Sequence, residues 1–203
     1  MQNQSSINRI NSFLIVLFST LFCISEYELK AQLSYKVLFL GNSYTYVNDL
    51  PQIIHDVALS AGDTLIFDSY APGGYQLINH AIDVTSLAKL NTVGWDYVVL
   101  QGQSQEPITQ SGDFGSGVYQ LNNLATQSNP CSVTMLYMTW GRKNGDSTNC
   151  ANFRVMCTYE GMDSTLRNEY LKRAAYIKAE VSPVSVVWKY LRQNFPGIEL
   201  YQP

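Results

Sequence analysis

Apolar runs of strand length alternate with stretches whose apolar residues recur at helical spacing, and that alternation constrains the chain more than any other feature. The first run, Lys36-Val37-Leu38-Phe39-Leu40, has the length and branched apolar content of a buried strand. Asn48, Asp49 and Pro51 read as a helix start, and Leu50, Ile53, Ile54, Val57, Ala58 and Ala61 form one apolar face that Gly62 closes. A second strand over residues 64–70 ends at Ala71-Pro72-Gly73-Gly74, and a helix over 75–90 turns Leu77, Ile78, Ala81, Val84 and Leu87 inward. The same reading gives a strand over 95–100, a helix over 118–127, a strand over 131–140 and a polar loop over 142–162. A helix over 163–181 follows, Ser182-Pro183 starts another through Trp188 and Leu191, and Pro196-Gly197 stops it before a fifth strand over 198–201. Strands that alternate with helices pair in parallel through right-handed crossovers. The expected fold is therefore α/β, a three-layer α/β/α sandwich with a central parallel sheet of about five strands.

A chain of 203 residues suffices for one such domain with a full core. Hydrophobic residues make up 46% and charged residues 14%, which excludes a disordered or highly charged chain. The net charge of -3 builds no basic footprint, so nucleic acid is not an expected partner. Residues 1–31 read as a secretory signal peptide. Arg9 gives a weakly positive start, Ile10 to Ile24 is the apolar core, and Leu29 and Ala31 fit a cleavage site before Gln32. The apolar core is short for a transmembrane span, so no stable span is expected after cleavage, and the mature protein is expected to be secreted or periplasmic. Residues 32–203 form the expected domain.

The polar residues that follow each strand suggest chemistry. Gly41-Asn42-Ser43 follows the first, Gly73-Gly74 the second, and Gln101-Gly102-Gln103-Ser104 the third. In a parallel sheet these tips share one edge, where open α/β sheets bind ligands. Ser43 is the candidate nucleophile. The oxyanion of an ester intermediate needs preorganised donors. The backbone N–H groups of Ser43 and Gly74 and a side-chain amide from the glutamine cluster supply three.

This arrangement resembles the SGNH (GDSL-like) hydrolase family. Gly41-Asn42-Ser43-Tyr44 is similar to the family's Gly-Asp-Ser block, with Asn in second place, and Gly74 matches the glycine of the second block. The third block departs from Gly-x-Asn. Gln101-Gly102-Gln103-Ser104 looks more like the Gln-Gly-Glu-Ser variant of carbohydrate acetylesterases in the superfamily. Family register puts Gln103 in the oxyanion hole, with Gln101 and Gln105 as alternatives. The resemblance implies a secreted serine esterase, acting on small-molecule or carbohydrate O-acetyl esters through an acyl-enzyme on Ser43, with no metal or organic cofactor. It also implies an Asp-x-x-His block after a short strand like residues 198–203. The chain is expected to be truncated just before that block, and its activity impaired. Of the two histidines, His55 reads as solvent-exposed and His80 as a packing residue or a remote substitute base. The alternative is a non-catalytic carbohydrate-binding or cell-surface module on the same fold. A nucleotide-binding protein is disfavoured, because Gly41 leads into neither Gly-x-Gly-x-x-Gly nor a P-loop lysine.

Tyr44 and Trp140 are candidates to line a substrate cleft. Cys150 and Cys157 are the expected disulfide pair, in a loop that is a candidate lid, while Cys131 reads as a buried free thiol. Cysteine and histidine are too few and scattered for a zinc site.

Overall fold

A computed structural model describes residues 32–92 and 94–201. The expected leader lies outside the described residues. Five parallel strands form one sheet in the order β2-β1-β3-β4-β5: β1 (Ser34–Leu40), β2 (Thr64–Tyr70), β3 (Tyr97–Leu100), β4 (Val133–Tyr137) and β5 (Glu180–Ser182). Leu40 pairs with Tyr70 on one side and with Leu100 on the other, and Leu100 with Leu136, so the strand tips are level. The chain moves from β1 outward to β2 and returns to β3 on the opposite side of β1. The gap between the β1 and β3 tips is therefore the topological switch point, where such sheets open a crevice.

The helices are α1 (Ser43–Tyr46), α2 (Leu50–Ser60), α3 (Leu77–His80), α4 (Val84–Thr92), α5 (Glu106–Thr109), α6 (Ser111–Ser128), α7 (Tyr159–Ile177) and α8 (Val184–Asn194). The period of two along each strand divides the core. Leu38, Leu40, Val98, Leu100 and Leu136 face one way and pack with Leu77, Leu90, Phe114, Leu121 and Tyr170 of α3, α4, α6 and α7. Val37, Phe39, Val99 and Tyr137 face the other way, against Leu50 and Ile54 of α2 and Val184 of α8. The result is the expected three-layer sandwich.

Some boundaries differ from the sequence reading, each for a local reason. The helix read over 75–90 is two, because the Asp83 carboxylate accepts from the N–H groups of Thr85 and Ser86 and restarts the helix there. The helix read over 118–127 starts earlier, at Ser111, through three glycines that masked its periodicity. The fifth strand is Glu180–Ser182, not residues 198–201. Lys178 takes a left-handed conformation (φ 58°) that ends α7 and frees the next residues to pair with β4. Residues 198–201 form no strand; Tyr201 packs edge-on against Trp188 instead.

Cys150 and Cys157 are disulfide-bonded. Cys131 is exposed rather than buried, because β4 starts two residues after it. Among the described residues no helix is long and apolar enough to cross a membrane.

Candidate active site

Ser43 is the first residue of α1, directly after the β1 tip, and is half-buried. Its N–H belongs to the first helical turn and so has no intrahelical acceptor. No described residue hydrogen-bonds its hydroxyl. Gly41 is required for space rather than for an unusual φ. A Cβ there would collide with the Thr45 hydroxyl and sit 2.6 Å from Gln101 Oε1.

The turn that presents Ser43 is held by Asn42, which is buried. Its backbone N–H donates to Gln101 Oε1 (2.9 Å) across the β1–β3 gap. Its side-chain Oδ1 accepts from Gln101 Nε2 (3.0 Å) and from the Tyr44 N–H (3.3 Å), and its Nδ2 donates to the Tyr75 carbonyl (2.9 Å). Asn42 thereby ties the serine turn to the loops after β3 and β2. The last bond holds the residue next to Gly74. Gly74 itself is exposed, with φ 74°, a left-handed conformation that glycine adopts without penalty. No described residue accepts a hydrogen bond from its N–H.

The glutamines divide the work. Gln101 is removed from the list of oxyanion donors. Its Oε1 also accepts from Thr45 Oγ1 (2.9 Å) and its Nε2 also donates to the Gly102 carbonyl (2.5 Å), so both amide protons are committed to a buried latch. Gln105 Nε2 donates to Asp146 Oδ2 (2.7 Å), which ties the β3 loop to the long loop after β4. Gln103 Oε1 accepts from the N–H groups of Gln105 (2.7 Å) and Glu106 (3.1 Å), while its Nε2 donates one proton to Gln105 Oε1 (2.6 Å) and retains a second. Gln103 and Gln105 are both half-exposed, and each side-chain amide keeps one proton to donate, so these two remain the candidates for the oxyanion.

Neither histidine is placed as a base. His80 is fully buried, with Nε2 donating to the Gly41 carbonyl (2.8 Å) and Nδ1 paired with the Ser86 hydroxyl (2.8 Å). Burial holds its pKa below the ordinary histidine value, so it is a neutral strut beneath the serine turn. His55 is half-buried rather than exposed, because its Nδ1 bonds the Leu65 carbonyl (2.7 Å) and its ring lies near Phe67.

Tyr44 and Trp140 do meet, stacked with centroids 5.0 Å apart and planes 6° apart. Trp188 stacks on Trp140 in turn (3.9 Å, 14°), a partner the sequence did not single out. The stacking surface of Trp140 is therefore taken up by its neighbours, which makes it a wall rather than an open platform. The Tyr44 hydroxyl is raised above its ordinary pKa by burial, against the opposing effects of Arg142 and Ser104 beside it.

The segment read as a loop over 142–162 is anchored at Asp146, and its last residues, from Tyr159, belong to α7. Buried Asp146 accepts from Gln105, from Asn149 Nδ2 and from the Thr148 N–H, and pairs with Arg142 (3.2 Å). Burial pushes its carboxyl up, but these bonds outweigh it and hold the pKa below the ordinary value. Met156 and Phe153 of the loop pack with Met162, Leu166 and Ile108 in a small separate core.

The sequence reading also missed Glu106. It is fully buried and accepts from the Leu77 N–H (3.1 and 3.3 Å) and the Gln103 N–H (2.9 Å). Its spacing from Gln103, i to i+3, is that of a capping box and was the available signal. Among the described residues no cluster of acidic, histidine and cysteine side chains is placed to hold a metal ion.

No protein-family model matches the sequence, and no curated relative does. Solved structures do. A protein assigned to the SGNH hydrolases from Slackia heliotrinireducens is 22% identical, with a TM-score of 0.67 over 77% of this chain and 83% of that one. A DUF4886 family protein from Bacteroides uniformis is 20% identical, with a TM-score of 0.68 over 81% and 72%. The psychrotrophic esterase EstA from a Pseudoalteromonas species is 8% identical, with a TM-score of 0.51 over 72% and 75%. The five-stranded parallel sheet with helices on both faces is the fold that these solved structures share with this chain.

Proposed function

We propose that the protein is a serine hydrolase of carboxylic esters, with Ser43 as nucleophile. The observation that carries this is the convergence of three strand-tip loops on Ser43 through Asn42, with the Ser43 hydroxyl and the Gly74 N–H left without partners among the described residues. Attack by the hydroxyl oxygen on an ester carbonyl forms a tetrahedral oxyanion. The N–H groups of Ser43 and Gly74 and the remaining Gln103 amide proton are its donors. Collapse expels the alcohol and leaves an acyl-enzyme, which water hydrolyses to regenerate Ser43.

The substrate class is an ester with a small acyl group, an O-acetylated carbohydrate being the specific reading, with the stacked Tyr44 and Trp140 as one wall of the cleft. Support for the sugar is the Gln101-Gly102-Gln103-Ser104 block alone. With both histidines bonded elsewhere, neither His55 nor His80 is assigned as the general base. Tyr201 donates to the Gly141 carbonyl (3.0 Å), beside Trp140. We place the mature protein outside the cytoplasm, after removal of residues 1–31.

The test is labelling with a fluorophosphonate, mapping of the labelled residue, and p-nitrophenyl acetate hydrolysis. Ser43 is the expected labelled residue, and Ser43→Ala is expected to abolish both label and turnover with the fold intact. Unchanged turnover in Ser43→Ala would refute the assignment.

A further inference from the structure

The hydrogen bonds around Ser43 close a circuit. Asn42 Nδ2 reaches Tyr75, the chain runs two residues to Leu77, and the Leu77 N–H reaches Glu106. Glu106 Oε2 then takes the Gln103 N–H, the chain runs back two residues to Gln101, and Gln101 returns to Asn42. Glu106 is the only side chain in this circuit that links the loop after β2 directly to the loop after β3. The two donors assigned to the oxyanion from those loops, Gly74 and Gln103, lie three residues before Leu77 and at the Glu106 contact itself.

The geometry points to Glu106 as a positioning residue for ester hydrolysis. Its carboxylate sets the spacing between the Gly74 and Gln103 loops, so that donors from two strand tips meet one oxygen. The inference rests on the reading of Ser43 as nucleophile. An ionised carboxylate suits the task because both oxygens accept, whereas a protonated one turns one oxygen into a donor with no acceptor facing it. The titratable groups that face Glu106 are Asp113 of α6 and Tyr170 of α7. The Tyr170 hydroxyl accepts from the Gly102 N–H (3.2 Å) and from Thr139 Oγ1 (3.5 Å), and no hydrogen bond among the described residues joins it to Glu106. No ion pair among the described residues involves Glu106, so its bonds to the two loops are its principal restraints. Burial raises its pKa to about 7.

The test substitutes Glu106→Gln, which keeps the shape but sets an NH2 group against one of the two N–H donors. Backbone amide shifts of Gly74, Leu77 and Gln103 are followed by NMR against pH, alongside the rate of fluorophosphonate labelling at Ser43 and the stability of each protein. In the wild type the three amides are expected to titrate together with one midpoint near 7. In Glu106→Gln that titration is expected to vanish, with labelling about 100-fold slower and stability near pH 8 undiminished, since a misplacement of about 1 Å costs that much in rate. Glu106→Asp, which keeps the charge and shortens the reach, is expected to slow labelling while keeping a titration, and it serves as the second variant if Glu106→Gln does not fold. Labelling of Glu106→Gln within twofold of wild type would overturn the inference, as would a rate loss matched by a loss of stability. Absence of label on wild-type Ser43 would sink the nucleophile instead, and the amide titration alone would then decide whether Glu106 couples the loops.

Discussion

Asn42 holds the serine turn through both ends of its amide, and the change from Asn to Asp probes the site more finely than deletion. In Asn42→Asp one oxygen still accepts from Gln101 Nε2 and the Tyr44 N–H. The other replaces the NH2 group that donates to the Tyr75 carbonyl at 2.9 Å, so two acceptors face each other in a buried position. Leaving a buried carbonyl unpaired costs about 1–3 kcal/mol. We expect Asn42→Asp to be less stable by about 2 kcal/mol near pH 8. A protonated carboxyl can donate to Tyr75 as the amide does, so its folded-state pKa lies above the unfolded value of about 3.9. Stability of the variant is then greatest below that value and falls as pH rises through the folded pKa. Urea unfolding, followed by tryptophan fluorescence near pH 4 and pH 8, measures this directly. With a slope of about 2 kcal/mol per molar, the midpoint near pH 8 shifts by about 1 M, and the shift shrinks near pH 4. Equal midpoints for variant and wild type near pH 8 would refute the role of Asn42 as the bridge to the Gly74 loop.

Other expectations follow from the same bonds. His80→Phe is expected to cost about 2–4 kcal/mol, because the Gly41 carbonyl and the Ser86 hydroxyl lose their partner in a fully buried position; chemical denaturation checks it. Since burial lowers the His80 pKa, its contribution is full above the unfolded value of about 6.5 and is lost as pH falls below it, so the wild-type advantage over His80→Phe is expected to shrink in acid. Glu106 acts in the opposite sense. With a folded pKa of about 7 against 4.5, the wild type is most stable below 4.5, and loses about 3 kcal/mol relative to Glu106→Gln as pH rises to 7, measured as the difference between the two unfolding curves. Reduction of Cys150–Cys157 is expected to cost about 2 kcal/mol by releasing a short loop, read as a lower Tm in reductant.

The order and kind of elements were legible because strand tips and helix faces leave strong patterns. Thr64–Tyr70 has a turn glycine before it and the Pro-Gly-Gly turn after it, and its bounds agree with the sequence reading. Glu180–Ser182 was hidden because three residues carry no period of their own; the strand exists through pairing with Met135–Tyr137 and the left-handed Lys178. Ser43 and Gly74 were legible as types at strand ends. The division of labour among Gln101, Gln103 and Gln105 was not, because it depends on which amide lies beneath Gly41 and which faces outward. Glu106 escaped notice for a related reason. A carboxylate beside proline reads as a helix start, and only the fold brings Leu77, from another loop, onto it.

The central claim, that Ser43 and donors from neighbouring strand tips share one reacting oxygen, is tested most directly by a crystal structure of the fluorophosphonate adduct. Phosphorus is expected bonded to Ser43 Oγ, with the phosphoryl oxygen about 3 Å from the N–H groups of Ser43 and Gly74 and the Gln103 amide turned toward it. A phosphoryl oxygen directed into solvent, away from Gly74 and Gln103, or phosphorus attached to a different residue, would contradict it.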